Sequence, residues 1–196
     1  MNASTGQAKT ITRKVRLVGL REAMFDRYAG DNQTALDVAQ KFYRRGDEVV
    51  LPTENFRSFL CATNTTSAPK RLLDSRQYRD VCASFSCFVD IEPNDVIPFL
   101  RKGKPIMFGA FDADGRDPKS GMYVDRRVAR LKDGIPNPKV RPILPLPWEL
   151  EFKITLRKNN EVNEDMLKRI ISDGGLTLGI GTYRGTYGKF EIDMWE

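Results

Sequence analysis

The chain has 196 residues with 32 Lys+Arg against 26 Asp+Glu, a formal charge of +6, and it contains no histidine. At 40% hydrophobic and 30% charged it is long enough for one globular domain with a real core, which excludes pervasive disorder. Without imidazole there can be no Ser-His-Asp or Cys-His triad, no histidine-based ribonuclease chemistry and none of the usual zinc or non-haem iron sites.

Carboxylate, lysine or tyrosine catalysis stays open, yet a non-enzymatic binding protein with no cofactor and no metal is the expectation. Residues 1–9 read as a polar, flexible arm ahead of a single domain over 10–196. No window approaches 18 uninterrupted apolar residues, so a cytoplasmic protein without a membrane partner is expected. Cys61, Cys82 and Cys87 are odd in number, form no CxxC pair and are expected to be buried, reduced thiols.

Thr10 to Gly19 alternates Val15 and Leu17 with Lys14 and Arg16, which predicts a strand with one wet face. A turn cluster at 28–32 precedes a predicted helix, capped by Asn32 or Thr34, with the stripe Leu36, Val38, Ala39 and Phe42, ending at Arg44-Arg45-Gly46. Glu48 to Leu51 reads as a short strand. Pro52-Thr53 opens a helix through Phe56, Phe59 and Leu60, and a more basic helix is expected from Pro69 to about Asp80. Val81 to Ile91 is rich in β-formers and predicts a strand closed by Glu92-Pro93. Residues 102–121 read as loops around one strand, Ile106 to Phe111.

Strand character returns from Met122 to Leu131. Over 126–141, Arg126, Arg127, Arg130, Lys132, Lys139 and Arg141 face one acid, Asp133, a local charge of +5. Pro136, Pro138 and Pro142 are expected to keep the later part irregular. Trp148, Leu150, Phe152, Ile154 and Leu156 alternate strictly with polar residues and predict a strand of an antiparallel sheet. Asn163 caps a helix with Glu164 and Asp165 in its first turn and Met166, Leu167, Ile170 and Ile171 on its buried face, ended by Gly174-Gly175. Phe190 to Trp195 is the last predicted strand.

Between that helix and strand lie Gly179, Gly181, Gly185 and Gly188, interleaved with Tyr183, Arg184, Tyr187 and Lys189. Glycines admit close approach of a ligand or another chain to the backbone, and let N–H groups converge on an anion. Cations neutralise phosphate, and tyrosine rings stack on unpaired bases. A Walker A loop is ruled out by Tyr183 where its first glycine would stand and Phe190 where Ser or Thr would follow the lysine. A Rossmann fingerprint needs the strand before the helix, the reverse of the order here. A glycine hairpin that merely packs under the sheet, and scattered surface arginines over 126–141, are the plain alternatives. Asp112, Asp114 and Asp117 resemble the start of a calcium loop, but Tyr123 occupies the twelfth position where Glu is required, which favours a solvated acidic turn over a metal-dependent nuclease.

The run Leu178-Gly-Ile-Gly-Thr-Tyr-Arg-Gly-Thr-Tyr-Gly-Lys-Phe190 after a strand and a helix resembles the C-terminal half of the repeat-associated mysterious proteins (RAMPs), the ferredoxin-like RNA-binding subunits of CRISPR effector complexes. It is closer still to uncharacterised phage proteins, through Arg141-Pro142, Trp148-Glu149, Phe152, Gly179-Ile-Gly181, Arg184 and Gly188-Lys-Phe190, with Phe25-Asp-Arg-Tyr28 and Leu51-Pro52 in similar places. The resemblance implies an α+β, ferredoxin-like (RAMP-like) antiparallel sheet with helices on one face and irregular insertions, its glycine loop lying against RNA or single-stranded nucleic acid. RAMP endoribonucleases generally use a histidine, so processing activity is not expected here.

The leading expectation is a non-catalytic phage protein that binds single-stranded RNA, in preference to DNA. The binding residues would be Arg126, Arg127, Arg130, Lys139, Arg141, Gly179, Gly181, Tyr183, Arg184, Gly185, Tyr187, Gly188 and Lys189. The alternative is an interaction or assembly module that self-associates or engages a host defence protein, such as an anti-defence factor imitating a CRISPR subunit.

Overall fold

In the computed structural model, which describes residues 10–31, 33–130, 134 and 136–196, the two alternating segments form the centre of a large antiparallel sheet. β1 (Thr10–Gly19) lies against β10 (Glu149–Arg157), from Thr10↔Arg157 to Val18↔Glu149. Val15 and Leu17 of β1 and Leu150, Phe152, Ile154 and Leu156 of β10 are buried on one face. β11 (Phe190–Trp195) flanks β1, and β5 (Val89–Glu92) and β6 (Val96–Arg101) flank β10 on its other side. The central order is thus last, first, third, second, all antiparallel, with helices in both crossovers, which is the ferredoxin-like β-α-β-β-α-β plan. β4 (Glu48–Pro52) and β3 (Tyr43–Arg45) extend the sheet beyond β6, and β7 (Lys104–Pro105) pairs with β6.

The helices cover the apolar face. α1 (Thr53–Cys61) sets Phe56 against Phe152 with ring centroids 4.8 Å apart, and Phe59 against Phe190 at 5.6 Å. α2 (Ala68–Leu72) and α3 (Gln77–Phe88) follow it, and α4 (Glu164–Thr177) fills the second crossover. Asn163 caps α4 as expected, its side chain accepting from Met166 N at 2.9 Å. The other face of the sheet is charged, with Lys14 opposite Lys153 and its arginines engaged by acids. Arg16 pairs with Glu151 at 2.7 Å and Asp193 at 3.4 Å, and Arg157 with Asp90 at 2.5 Å.

Several expectations fail for identifiable reasons. The segment ending at Gly46 is no helix: only a 3-10 turn, Val38–Gln40, forms, and Gly46 (φ 59°) serves the hairpin joining β3 to β4. Phe42 is buried there by Phe108, 4.9 Å away, rather than by a helical stripe. Asn32 lies outside the described residues, and Asp31 makes the local turn by accepting from Gln33 N and Thr34 N. The basic helix is split into short α2 and the start of α3. Val81 to Phe88 is helical, because Val81, Cys82 and Phe85 share one buried face at helical spacing and that burial outweighs β propensity; only Val89–Glu92 is strand. Ile106 to Phe111 makes no strand beyond the bridge of Met107 to Glu48. Of the thiols, Cys82 is buried, Cys61 intermediate with its pKa pushed by burial up to about 12, and Cys87 exposed.

The expected irregularity after residue 135 fails too. β9 (Pro136–Leu144) pairs along its whole length with β8 (Tyr123–Arg130) and at its end with β2 (Ala23–Met24). Pro136, Pro138 and Pro142 share one parity, and the carbonyl of Pro142 accepts from Phe25 N at 3.0 Å, on the side away from β8. All three absent donors therefore point off the β8 ladder, where none is needed.

Gly174 and Gly175 do not end α4, which runs on to Thr177. They are buried contact points: a Cβ on Gly175 would lie 2.6 Å from the carbonyl oxygen of Phe190. In an open helix Gly→Ala stabilises by about 1 kcal/mol, whereas overpacking against backbone costs about 1–3 kcal/mol. Gly175→Ala is therefore expected to lower the urea midpoint of unfolding instead of raising it.

At the sheet edge Glu164 accepts from Arg13 Nε at 2.6 Å and Trp195 Nε1 at 2.8 Å. These bonds, Arg13 first, hold its carboxyl below the usual glutamate range. The ionised form thus stabilises the fold, fully above the ordinary value of about 4.3, and the contribution fades as pH falls through the depressed value. Thermal melts of wild type and Glu164→Gln are expected to differ at neutral pH and to converge on acidification below about pH 4.

Candidate nucleic-acid interface

The loop after α4 is built on backbone contacts that only glycine permits. Gly188 (φ 68°) donates its N–H to Glu22 O at 2.7 Å, and its carbonyl accepts from Ile180 N at 2.9 Å; a Cβ there would run into the Ile180 carbonyl. At Gly181 (φ 81°) a Cβ would lie 2.5 Å from Met24 O, the same oxygen that accepts from Thr182 N at 2.8 Å. The loop is stitched along residues 22–24, at the root of the β2–β9–β8 sheet. Gly179 is buried against the carbonyls of Tyr187 and Gly188, while the exposed Gly185 donates to Leu178 O at 2.7 Å. The amides of Gly179, Gly185 and Gly188 are spent within the chain, so these glycines serve close backbone packing and offer no free N–H groups to an anion.

Those side chains meet the basic hairpin. Arg127 projects from β8 so that its guanidinium lies 5.8 Å from the Tyr183 ring centroid and 5.6 Å from that of Tyr187, and it donates to Tyr187 Oη at 2.8 Å. Two further bonds, Nε and Nη2 to Asp125 at 2.6 Å each, fix it from the other side. The Asp125 hydrogen bond, more than that of Tyr187, raises the Arg127 pKa above the ordinary arginine value. The tyrosine rings stand 6.0 Å apart at 52°, and Tyr183 is 53% exposed in the left-handed region at φ 53°. A non-glycine residue held there carries backbone strain that the surrounding bonds must offset.

The remaining basic residues divide into two groups. Arg126 is exposed on the opposite face of the ribbon, and Lys139 is the cross-strand neighbour of Arg127. Arg184 is half-buried and donates to the carbonyls of Thr66 at 2.7 Å and Gly181 at 3.3 Å; burial lowers its pKa. Lys189 is half-buried at the loop's end. Among the described residues none of these four has a carboxylate within ion-pair distance. Arg141 does not join them: only 12% of its side chain is exposed, and it pairs with Asp26 at 2.8 Å, where Lys41 also approaches to 3.7 Å. The side chain of Arg130 lies outside the described residues.

Asp125 stands just before the basic stretch that begins at Arg126, and composition alone does not mark it. Strand alternation could have found it, since Asp125 and Arg127 two residues apart share a face. Tyr123, on the same face, donates to Glu22 at 2.8 Å and ties β8 to the segment beneath the loop. The acidic turn behaves as expected at Asp112, whose carboxylate accepts from Asp114 N and Arg116 N. Asp117 differs in being buried, bonded to Gly109 N and to Ser120. Among the described residues no cluster of acids or cysteines could hold a metal, and no helix is long and apolar enough to cross a membrane.

No protein-family model matches the chain, and no curated protein matches it. In structure it is similar to a chain of a type III-B Cmr-beta complex bound to cognate target RNA, solved by cryo-EM. The TM-score is 0.51 at 13% identity, over 96% of this chain and 60% of that one. The chain thus spans less than two thirds of that neighbour. At this identity the likeness is one of fold, and the fold is the α+β, ferredoxin-like one that the resemblance implied.

Tyr183→Gly removes the unfavourable φ as well as the ring. It is expected to leave the free energy of unfolding within about 0.5 kcal/mol of wild type, because relief of strain offsets the lost ring contacts, as read by chemical denaturation.

Proposed function

We propose that the protein is a non-catalytic subunit that binds single-stranded RNA and works within a larger assembly. The observation that carries this reading is the junction at Arg127, which joins the basic β8–β9 hairpin to an exposed tyrosine on a strained backbone. A solvent-facing ring beside unpaired cations suits an unstacked base with its phosphates. The likeness to a chain of an RNA-bound complex supports the same class of ligand. On the outer face of the central sheet Arg16 and Arg157 are engaged by acids, so the ligand in this reading follows the hairpin and the loop.

In this reading Tyr183 stacks, and Arg126, Lys139, Arg184 and Lys189 contact phosphates. Four such contacts imply that log K for single-stranded RNA falls with log salt at a slope of about −3, at roughly 0.7 per phosphate. Arg184→Gln with Lys189→Gln is expected to reduce that slope by about 1.4. Fluorescence anisotropy across a salt series measures both. No binding of single-stranded oligonucleotides at low salt overturns the reading. So does a protein partner that survives nuclease treatment while the purified chain carries no nucleic acid; that result would assign the loop to protein contact.

A further inference from the structure

Arg127 looks at first like another phosphate ligand, but its surroundings argue against that role. Its Nε and Nη2 are both taken by Asp125, Nη2 also reaches Tyr187 Oη, and the guanidinium lies against two rings. To reach a phosphate it would have to give up a bidentate, charge-assisted pair and both ring contacts. Its charge also has an internal counter-ion, so a phosphate there would displace Asp125 and not a dissolved cation. Tyr187 is half-buried and uses its hydroxyl on Arg127, whereas Tyr183 is 53% exposed. Of the two rings beside Arg127, Tyr183 is thus the one with surface left for a base.

We propose that Asp125 is a positioning residue: it holds Arg127 as a strut between hairpin and loop, making Tyr183 a platform for one stacked base, with Arg127 itself touching no phosphate. The proposal rests on the RNA-binding reading above and sharpens it, because two arrangements of the same residues predict opposite signs for one substitution. If Arg127 were a phosphate ligand restrained by Asp125, removing the acid would free a cation and tighten binding. If Arg127 is a strut, removing the acid lets the platform swing and weakens binding, although the protein has become more positive.

The test is the affinity of Asp125→Asn, Arg127→Lys, their double variant and Tyr183→Ala for a labelled single-stranded RNA of about ten nucleotides, across a salt series. Tyr183→Ala is expected to lose about 5- to 100-fold, the worth of one stacked base. Asp125→Asn and Arg127→Lys, which keeps the charge but lacks the fork, are each expected to lose about 5-fold or more with the salt slope unchanged. The double variant should be no weaker than the worse single, since both disable one unit, and Asp125→Glu should recover part of the loss. Asp125→Asn that binds as tightly as wild type or tighter, with a steeper slope, overturns the proposal while leaving the RNA reading intact. Wild type that does not bind the RNA overturns both. Should Asp125→Asn fail to fold, Arg127→Gln, which removes the charge, decides by the same slope criterion: a loss of affinity with a shallower slope makes Arg127 a phosphate ligand, and a loss with the slope unchanged makes it a strut.

Discussion

The candidate site depends on how closely two stretches of backbone can approach. Residues 22–24 and 178–188 lie so near each other that a side chain at Gly181 would strike the Met24 carbonyl oxygen, and Gly188, which has no room for a side chain against the Ile180 carbonyl, donates its N–H to Glu22 O. That contact places the loop against β2, and β2 pairs with β9 at the root of the hairpin. Tyr183, Arg184 and Tyr187 therefore take their positions from main-chain hydrogen bonds, and Arg127 adds a side-chain link from the hairpin to the loop. A loop held this way is rigid where it is buried and presents its chemistry only at the tip, the arrangement that keeps the ordering cost of binding low.

Charge is partitioned between the two sheets. On the outer face of the central sheet Arg16 sits opposite Glu151 and Arg157 reaches Asp90, while Lys14 stands opposite Lys153. In the second sheet, among the described residues, Arg126 and Lys139 have no carboxylate within ion-pair distance, while Asp125 and Asp26 pair with Arg127 and Arg141. A screened field of one sign around a small platform favours encounter with a flexible anionic chain.

Much of the fold was legible because burial has a period. β1, β10, α1, α4 and β11 each carry a strict repeat of two or the 3.6-residue stripe, and the structure has them where the pattern points. The misses occur where two physical terms compete. In Val81 to Phe88, β-branched and aromatic residues argue for strand while the spacing of the buried set argues for helix, and packing against α1 decides. At Gly46 one residue type marks both a helix end and a hairpin turn. In the site, the glycine loop and the basic stretch were visible as composition, but their meeting through Arg127 depends on a strand pairing across more than 100 residues, which leaves no local trace. Arg141 was indistinguishable from its neighbours, since the acid that neutralises it, Asp26, stands far away in sequence.

The prolines of β9 carry one further consequence. A two-stranded ribbon offers its outer edge as a template on which other extended chains could add, and a strongly basic ribbon that polymerised in this way would hide its own cations. Pro136 and Pro138 leave that edge, past the reach of β2, without two of the donors an incoming strand would need. The imino acids thus blunt the β9 edge of the ribbon as a template for an added strand.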